Sequence, residues 1–292
     1  MACNLLEFAM FGWIEILLLL FIGSISYHAV VANYGPGLIA GGLDSLLAFT
    51  ILMLLHCLLV MLLWSYFSVV FTDPGCVPPG WRPAVDEEQF DTLPLTMTEV
   101  PAYSENGRIQ YCRMCNHLKP PRCNHCYVCG RCILKMDHHC AWVVNCVGAL
   151  NYKYYLLFLF YAFLETSLVV LSLLPYYIAL SSEGETPETP GIPATSAPAF
   201  GSNLVLALSS LGFLIKHILL VATNTTSLEA YEKKTTSKWQ YDLGRKENFE
   251  QVFGMDKKYW FLPAYSKEDL SKIPALQGLE YPSRPDLDMQ EL

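Results

Sequence analysis

The 292-residue sequence is 53% hydrophobic and only 16% charged, far more apolar than an average soluble domain. Its net charge of −8, with no basic face, excludes nucleic acid as a partner, since phosphate binding needs one. A chain of this composition belongs in a membrane.

Four stretches, roughly 12 to 33, 45 to 71, 153 to 179 and 199 to 222, are long and apolar enough to cross a hydrocarbon core of about 30 Å. The first is a retained anchor, because no Lys or Arg precedes residue 82 to form the basic start of a cleavable signal. Neither terminus carries a myristoylation or prenylation motif. Aromatics such as Trp13, Tyr34, Trp64, Tyr152 and Tyr177 flank the spans, as amphipathic rings do at headgroup depth. Cys57 in the second span reads as core. Cys3 and Cys76, at cytoplasmic span ends, are sites where acylation competes with an unmodified thiol.

Residues 80 to 106 form a mixed, acidic linker. The connection from 180 to 198, rich in Pro, Ser, Thr and Glu, reads as an exposed lumenal loop. Residues 72 to 152 carry seven basic residues and 223 to 292 carry ten, whereas 34 to 44 and 180 to 198 carry none. The middle loop, the tail and, by parity, the N-terminus are therefore expected on the cytoplasmic side. In that reducing compartment the sequon at Asn224 stays unglycosylated, and a cysteine cluster binds metal rather than forming disulfides.

The cluster itself runs Cys112-x2-Cys115, His125-Cys126-x2-Cys129-x2-Cys132, Asp137-His138-His139-Cys140 and Cys146. Cysteines three apart can share one tetrahedral Zn²⁺, and a segment with so little apolar core needs metal to fold. Eight cysteines and four histidines lie between Cys112 and Cys146, four more donors than two closed zinc sites require. A surplus Cys140 beside a surplus histidine suits nucleophilic chemistry: the imidazole takes the thiol proton and Asp137 orients the imidazole. Spacing leaves open which histidine does so.

With Asp73-Pro74-Gly75, Asn145-Cys146-x-Gly148-x2-Asn151 and Asn248-x3-Val252-Phe253-Gly254, this pattern resembles the DHHC family of protein S-acyltransferases, or palmitoyltransferases, and most of all plant Golgi-type members. The resemblance covers nearly the whole chain. It implies an all-α polytopic membrane protein with four transmembrane helices and a cytoplasmic Cys-rich double-zinc module. The divisions are 1–71 (helices 1 and 2), 72–111 (linker with the DPG element), 112–152 (zinc module), 153–222 (helices 3 and 4) and 223–292 (tail).

It further implies that Cys140 is the nucleophile carrying an acyl thioester, His138 the general base and Asp137 its orienting partner. One structural Zn²⁺ is implied on Cys112, Cys115, His125 and Cys132, and a second on Cys126, Cys129, His139 and Cys146. The co-substrate is acyl-CoA, its phosphates meeting Lys119 and Arg122 and the start of its chain meeting Trp142. Glu165, some 13 residues into the third span, is expected near the end of the acyl cavity. Protein substrates carry juxtamembrane cysteines at the bilayer, in the Golgi or a related endomembrane. The alternative is a catalytically inactive membrane zinc scaffold or adaptor.

Cys123 and His117 are expected at the surface without a role, and Lys216 as a snorkelling residue with neither it nor His217 catalytic. The family's TTxE element reads Thr226-Ser227-Leu228-Glu229, a Ser replacing the second Thr, with Thr225 offering another register. Residues 231 to 258 are expected to pack on the zinc module, and the chain beyond about 265 to be flexible.

Overall fold

Uncharged runs of Leu, Ile, Val and Phe fold as helices in hydrocarbon because only a helix or a closed barrel satisfies its own backbone N–H and C=O groups there. The computed structural model describes residues 2–82, 110–183, 195–232 and 239–284. Almost all of the acidic linker, most of the 180 to 198 connection, the last eight residues and the side chain of Cys3 lie outside that set. Helix α1 (Ala2–Tyr34) is followed by α2 (Gly37–Ala40) and α3 (Gly42–Phe71), and after the cysteine cluster come α4 (Tyr152–Glu183) and α5 (Ser196–Ala222). Among the described residues four stretches can cross a membrane: Ile16–Ala40, Gly42–Phe71, Tyr152–Ile178 and Ser196–Ala222. The protein is a multi-pass membrane protein. The first span ends later than residue 33 because Pro36 keeps right-handed helical dihedrals and the chain re-enters helix at once.

The chain divides into two compact units, Met10–Tyr66 with Leu156–Ile215, and Met1–Ala9 with Phe67–Tyr155 and Lys216–Leu292. The first is the helical bundle. Its core comprises Ala29, Val30, Leu55, Val169, Leu173 and Ala199. Buried polar pairs join its helices: Asn203 donates to Ser26 Oγ at 2.6 Å, and the Tyr34 hydroxyl to the Ser172 carbonyl at 2.6 Å. In hydrocarbon such groups cannot bond water, so partners on neighbouring helices fix how those helices meet. Cys57, expected in the core, is exposed instead. It stands about 200° around α3 from Leu55, which is the residue that faces inward.

The second unit holds the zinc module, three antiparallel hairpins that add short strands to the expected all-helical plan. Strands β1 (Gln110–Cys112) and β2 (His117–Lys119) pair, as do β3 (Asn124–Cys126) with β4 (Arg131–Ile133) and β5 (His138–Cys140) with β6 (Asn145–Val147). Gly148 lets three segments converge, since a Cβ there would lie 2.6 Å from the Pro74 carbonyl oxygen and 2.9 Å from that of Leu134. This is how the Asp73-Pro74-Gly75 element docks on the module, with Leu134 N–H donating to Gly75 O at 3.0 Å and Leu150 N–H to Pro74 O at 3.2 Å. Asn145 donates to the Val69, Val70 and Thr72 carbonyls, satisfying groups that the end of α3 leaves open.

The tail beyond 265 is folded up to residue 284. After α6 (Ser227–Glu232) and α7 (Arg245–Phe253), helix α8 (Lys267–Lys272) begins at Ser266, whose hydroxyl accepts the Asp269 N–H at 3.0 Å. Buried Asp269 in turn accepts the Met255 N–H at 3.0 Å, and Ile273, Ala275 and Leu276 pack with Tyr265 and Tyr281.

Candidate active site and zinc centres

Side chains alternate across a strand, and that alternation divides the cysteine cluster. On β3, His125 faces one side and Cys126 the other; the register pairs His125 with Cys132 and so places both on the same face of the hairpin. On β5, His139 pairs with Cys146 while His138 and Cys140 turn to the opposite face. Two tight turns supply the remaining thiols: Asn116 N–H donates to Cys112 O and Gly130 N–H to Cys126 O, each at 2.8 Å. Both Asn116 and Gly130 adopt positive φ (57° and 65°), conformations that Asn and Gly reach most easily.

The structure thus brings together Cys112, Cys115, His125 and Cys132, and separately Cys126, Cys129, His139 and Cys146. His125 Nδ1 lies 3.6, 3.2 and 3.9 Å from the sulfurs of Cys112, Cys115 and Cys132. His139 Nδ1 lies 3.8, 3.4 and 3.5 Å from those of Cys126, Cys129 and Cys146. A tetrahedral ion bound at about 2.3 Å to sulfur and about 2.0 Å to nitrogen has donor separations of about 3.5 Å, so both Cys₃His sets fit structural zinc.

His138 and Cys140 point away from the second zinc set. His138 Nδ1–H donates to Asp137 Oδ2 at 2.7 Å, and the ring also hydrogen-bonds Cys140. Burial disfavours a charged His138, but the bonds to Asp137 and Cys140 outweigh it and raise the imidazole pKa to about 9. The ring can therefore hold the proton that a cysteine nucleophile must lose. Burial alone would raise the Asp137 carboxyl; the His138 bond, the neighbouring imidazoles and the Ser227 N–H hold it below its ordinary value.

A chain of buried contacts sets Asp137. Its Oδ1 accepts the Ser227 N–H at 2.8 Å. Ser227 opens α6, whose start is a reciprocal cap: Thr226 N–H donates to Glu229 Oε2 at 2.8 Å and Glu229 N–H to Thr226 Oγ1 at 3.2 Å. This settles the register on Thr226. Because the main chain of Ser227 makes the bond, a Ser in place of Thr leaves it intact. Asn224, buried and at φ 46°, accepts from Arg122 Nη1 at 3.0 Å and Lys135 Nζ at 3.1 Å. It donates to Tyr241 O and Gln251 Oε1. Its burial gives the sequon a structural reason to stay unmodified.

Arg122 does not sit where an acyl-CoA phosphate could meet it. It is 2% exposed, with Nε and Nη2 on Glu229 at 2.7 and 2.6 Å and the rings of Tyr241 and Tyr281 at 4.6 and 5.0 Å from its guanidinium carbon. Four of its five N–H donors serve Glu229 and Asn224, and aromatic faces cover its plane. Lys119 is half-buried on β2, and Trp142 is 43% exposed in the 3₁₀ turn after Cys140. Glu165 lies half-buried in α4, within the helical bundle unit. Cys123, expected at the surface, is fully buried against Cys112, Cys132 and Leu134, because the turn after Pro120 points it inward. Half-buried His117 bonds the Leu118 carbonyl. Lys216 is exposed.

Three residues that the sequence reading left without a role line this site. His217 is buried with its ring centroid 5.9 Å from that of His138, and its Nδ1 lies 3.1 Å from the Tyr152 hydroxyl. Asn224 ties the end of α5 to the module, and Lys135 is a buried amine whose pKa burial and Arg122 push down to about 7. A buried histidine near the end of an apolar span is a signal in its own right, since ionisable groups there are rare.

A family model described as DHHC palmitoyltransferase matches residues 105–234. The chain is 62% identical to probable protein S-acyltransferase 14 of Arabidopsis thaliana, over 99% of this chain and 98% of that protein. It is 54% identical to probable protein S-acyltransferase 13 of the same organism, over 100% and 99%. It is 35% identical to palmitoyltransferase ZDHHC2 of Mus musculus, over 80% of this chain and 69% of that one.

Proposed function

Since this chain belongs to the DHHC palmitoyltransferase family, we propose that its protein S-acyltransferase activity runs through a thioester on Cys140. The observation that carries this assignment is the Asp137–His138 bond of 2.7 Å beside Cys140, on the strand face opposite the zinc ligand His139. In the first step the Cys140 sulfur attacks the acyl-CoA carbonyl and its proton rests on His138. The carbon–sulfur bond to CoA then breaks, and the departing CoA sulfur takes that proton. In the second step a substrate cysteine gives its proton to His138 and attacks the acyl-enzyme; Cys140 leaves and recovers the proton. The scheme is ping-pong. Asp137 holds the imidazole in the tautomer and orientation both steps need. The zinc ions, when bound, supply structural bonds only.

The active pair argues against the inactive-scaffold alternative. Acyl-CoA is the donor, with Lys119 meeting its phosphates and Trp142 the start of its chain. The acyl group is palmitoyl or similar in length, and the acceptors are cysteines of proteins already at the bilayer. The distribution of basic residues supports a cytoplasmic catalytic loop and cytoplasmic termini, and the likeness to plant Golgi-type proteins supports an endomembrane location. Glu165 bounds the acyl cavity, so Glu165→Ala is expected to shift the preferred donor toward longer chains. An acyl-CoA competition series read by mass spectrometry would refute this if the profile were unchanged.

The direct test is to incubate the purified protein with a labelled palmitoyl-CoA analogue, digest it and locate the label. Hydroxylamine-sensitive label on the Cys140 peptide, chased off by a peptide thiol, is the expected result. Label confined to another cysteine would remove the assignment.

A further inference from the structure

His217 is 1% exposed, and a nitrogen of its ring lies within 4.8 Å of both a carboxylate oxygen of Asp137 and a ring nitrogen of His138. We infer that His217 is a positioning residue for acyl transfer: tied by Tyr152, its imidazole presents an N–H to the Asp137 carboxylate and a ring to His138, and so keeps that pair aligned on Cys140. The inference rests on Cys140 and His138 acting as nucleophile and base.

A buried imidazole at the end of an apolar span is expensive unless its nitrogens are used, and a phenyl ring would fill the same space without that cost. One nitrogen is accounted for, since Nδ1 lies 3.1 Å from the Tyr152 hydroxyl. With the hydroxyl as donor, the neutral ring carries its proton on Nε2. A neighbouring carboxylate favours that tautomer, because the other would set a lone pair against it. Asp137 has room for such a donor: Oδ2 takes the His138 Nδ1–H at 2.7 Å and Oδ1 the Ser227 N–H at 2.8 Å, two of about four lone-pair positions. Asp137 is buried, so protein groups rather than water must serve the rest.

His138 also needs holding. Its side chain is 30% exposed, and its bonds to Asp137 and Cys140 leave the faces of the ring to be fixed by packing. The Tyr155 ring stands edge-on to it at 5.3 Å and the His217 ring lies at 5.9 Å, while Tyr155 and His217 meet at 5.1 Å, centroid to centroid. The three rings brace one another. A neutral His217 adds no like charge beside His138 when that ring takes the thiol proton, whereas a lysine at this position would compete with His138 for Asp137.

Single-turnover acyl-enzyme formation on full-length protein, followed against palmitoyl-CoA concentration, separates maximal rate from half-saturation. His217→Phe keeps an aromatic ring and removes both nitrogens; its maximal rate is expected to fall about 10²-fold, the cost of misplacing a reacting group by about 1 Å, with half-saturation unchanged. His217→Gln, whose amide still donates, should stay within about tenfold of wild type. Tyr152→Phe, which frees Nδ1, should fall between them. Two equivalents of zinc in each variant report a folded module. Alkylation of Cys140 by iodoacetamide, read on its peptide with no acyl-CoA present, should slow in the same order, because the thiol loses its aligned proton acceptor.

A His217→Phe enzyme at the wild-type rate, or a His217→Gln enzyme slower than His217→Phe, would overturn the proposal, since ring volume alone would then be at work. So would a raised half-saturation with an unchanged maximal rate, the mark of a substrate contact. Where His217→Phe loses zinc, Tyr152→Phe decides: a wild-type rate there overturns the proposal. Acylation persisting in Cys140→Ser would instead defeat the catalytic reading, while the order of alkylation rates still decided whether His217 governs the thiol.

Discussion

Cys140→Ser is expected to reduce acyl-enzyme formation and acyl transfer to background, and His138→Ala to slow both by about 10²–10⁴-fold, the usual contribution of a general base. The informative comparison is with the next residue. His138 and His139 are adjacent in sequence but face opposite sides of β5, so their replacement should break different things. His138→Ala removes the proposed base and leaves both Cys₃His sets whole, so their two equivalents of zinc should remain. His139→Ala takes one donor from Cys126, Cys129 and Cys146, so that metal should weaken or leave, and with it the fold of the β5–β6 hairpin that carries Cys140, the proposed nucleophile. Zinc content by atomic absorption and acyl-enzyme by hydroxylamine-sensitive labelling, measured on the same preparations, separate the two. Equal zinc loss in both variants would contradict the division of the hairpin's faces.

The large features of this molecule were legible because each is a local pattern. Four apolar runs each satisfy the length requirement of a bilayer within their own residues, and thiols at Cys112 and Cys115 or Cys126 and Cys129 are close enough to announce a metal by spacing alone. The hairpins were not legible: strands of three residues are too short for a period-two pattern to stand out. Their alternation is nonetheless what separates His138 from His139. Contacts between distant residues were hidden as well. Arg122 looked like a solvent-facing cation because its partner Glu229 lies 107 residues away, beyond two spans. The segment from 266 to 284 was misjudged for the same reason, as nothing in its own sequence indicates what it packs against; Cys123 is buried by the nearby Cys112, Cys132 and Leu134 through the fold of the hairpins. Cys57 shows the converse limit: an apolar run reveals a span but not which side of it faces protein.

Arg122→Ala is expected to destabilise the protein by about 3–5 kcal/mol, the cost of removing one partner from a buried ion pair. The Arg122 and Glu229 side chains are 0% and 5% exposed, so the stranded Glu229 carboxylate has almost no water to turn to. The consequence should reach the active site through named bonds. Glu229 caps α6 at Thr226; the next residue, Ser227, gives its N–H to Asp137; and Asp137 holds His138. At temperatures where the variant stays folded, acyl-enzyme formation should therefore slow while KM for acyl-CoA stays close to wild type. The opposite pattern, a raised KM with an unchanged melting temperature, is what an Arg122 bound to CoA phosphates would produce, and it would contradict the ion-pair account. Pairing Arg122→Met with Glu229→Gln should recover much of the stability, because the stranded charge is gone. It should recover less of the activity, because the substituted amide caps α6 without the Arg122 bonds that anchor Glu229 in the wild type. That separation of stability from rate would place Arg122 among the residues that position Asp137 for its proposed role.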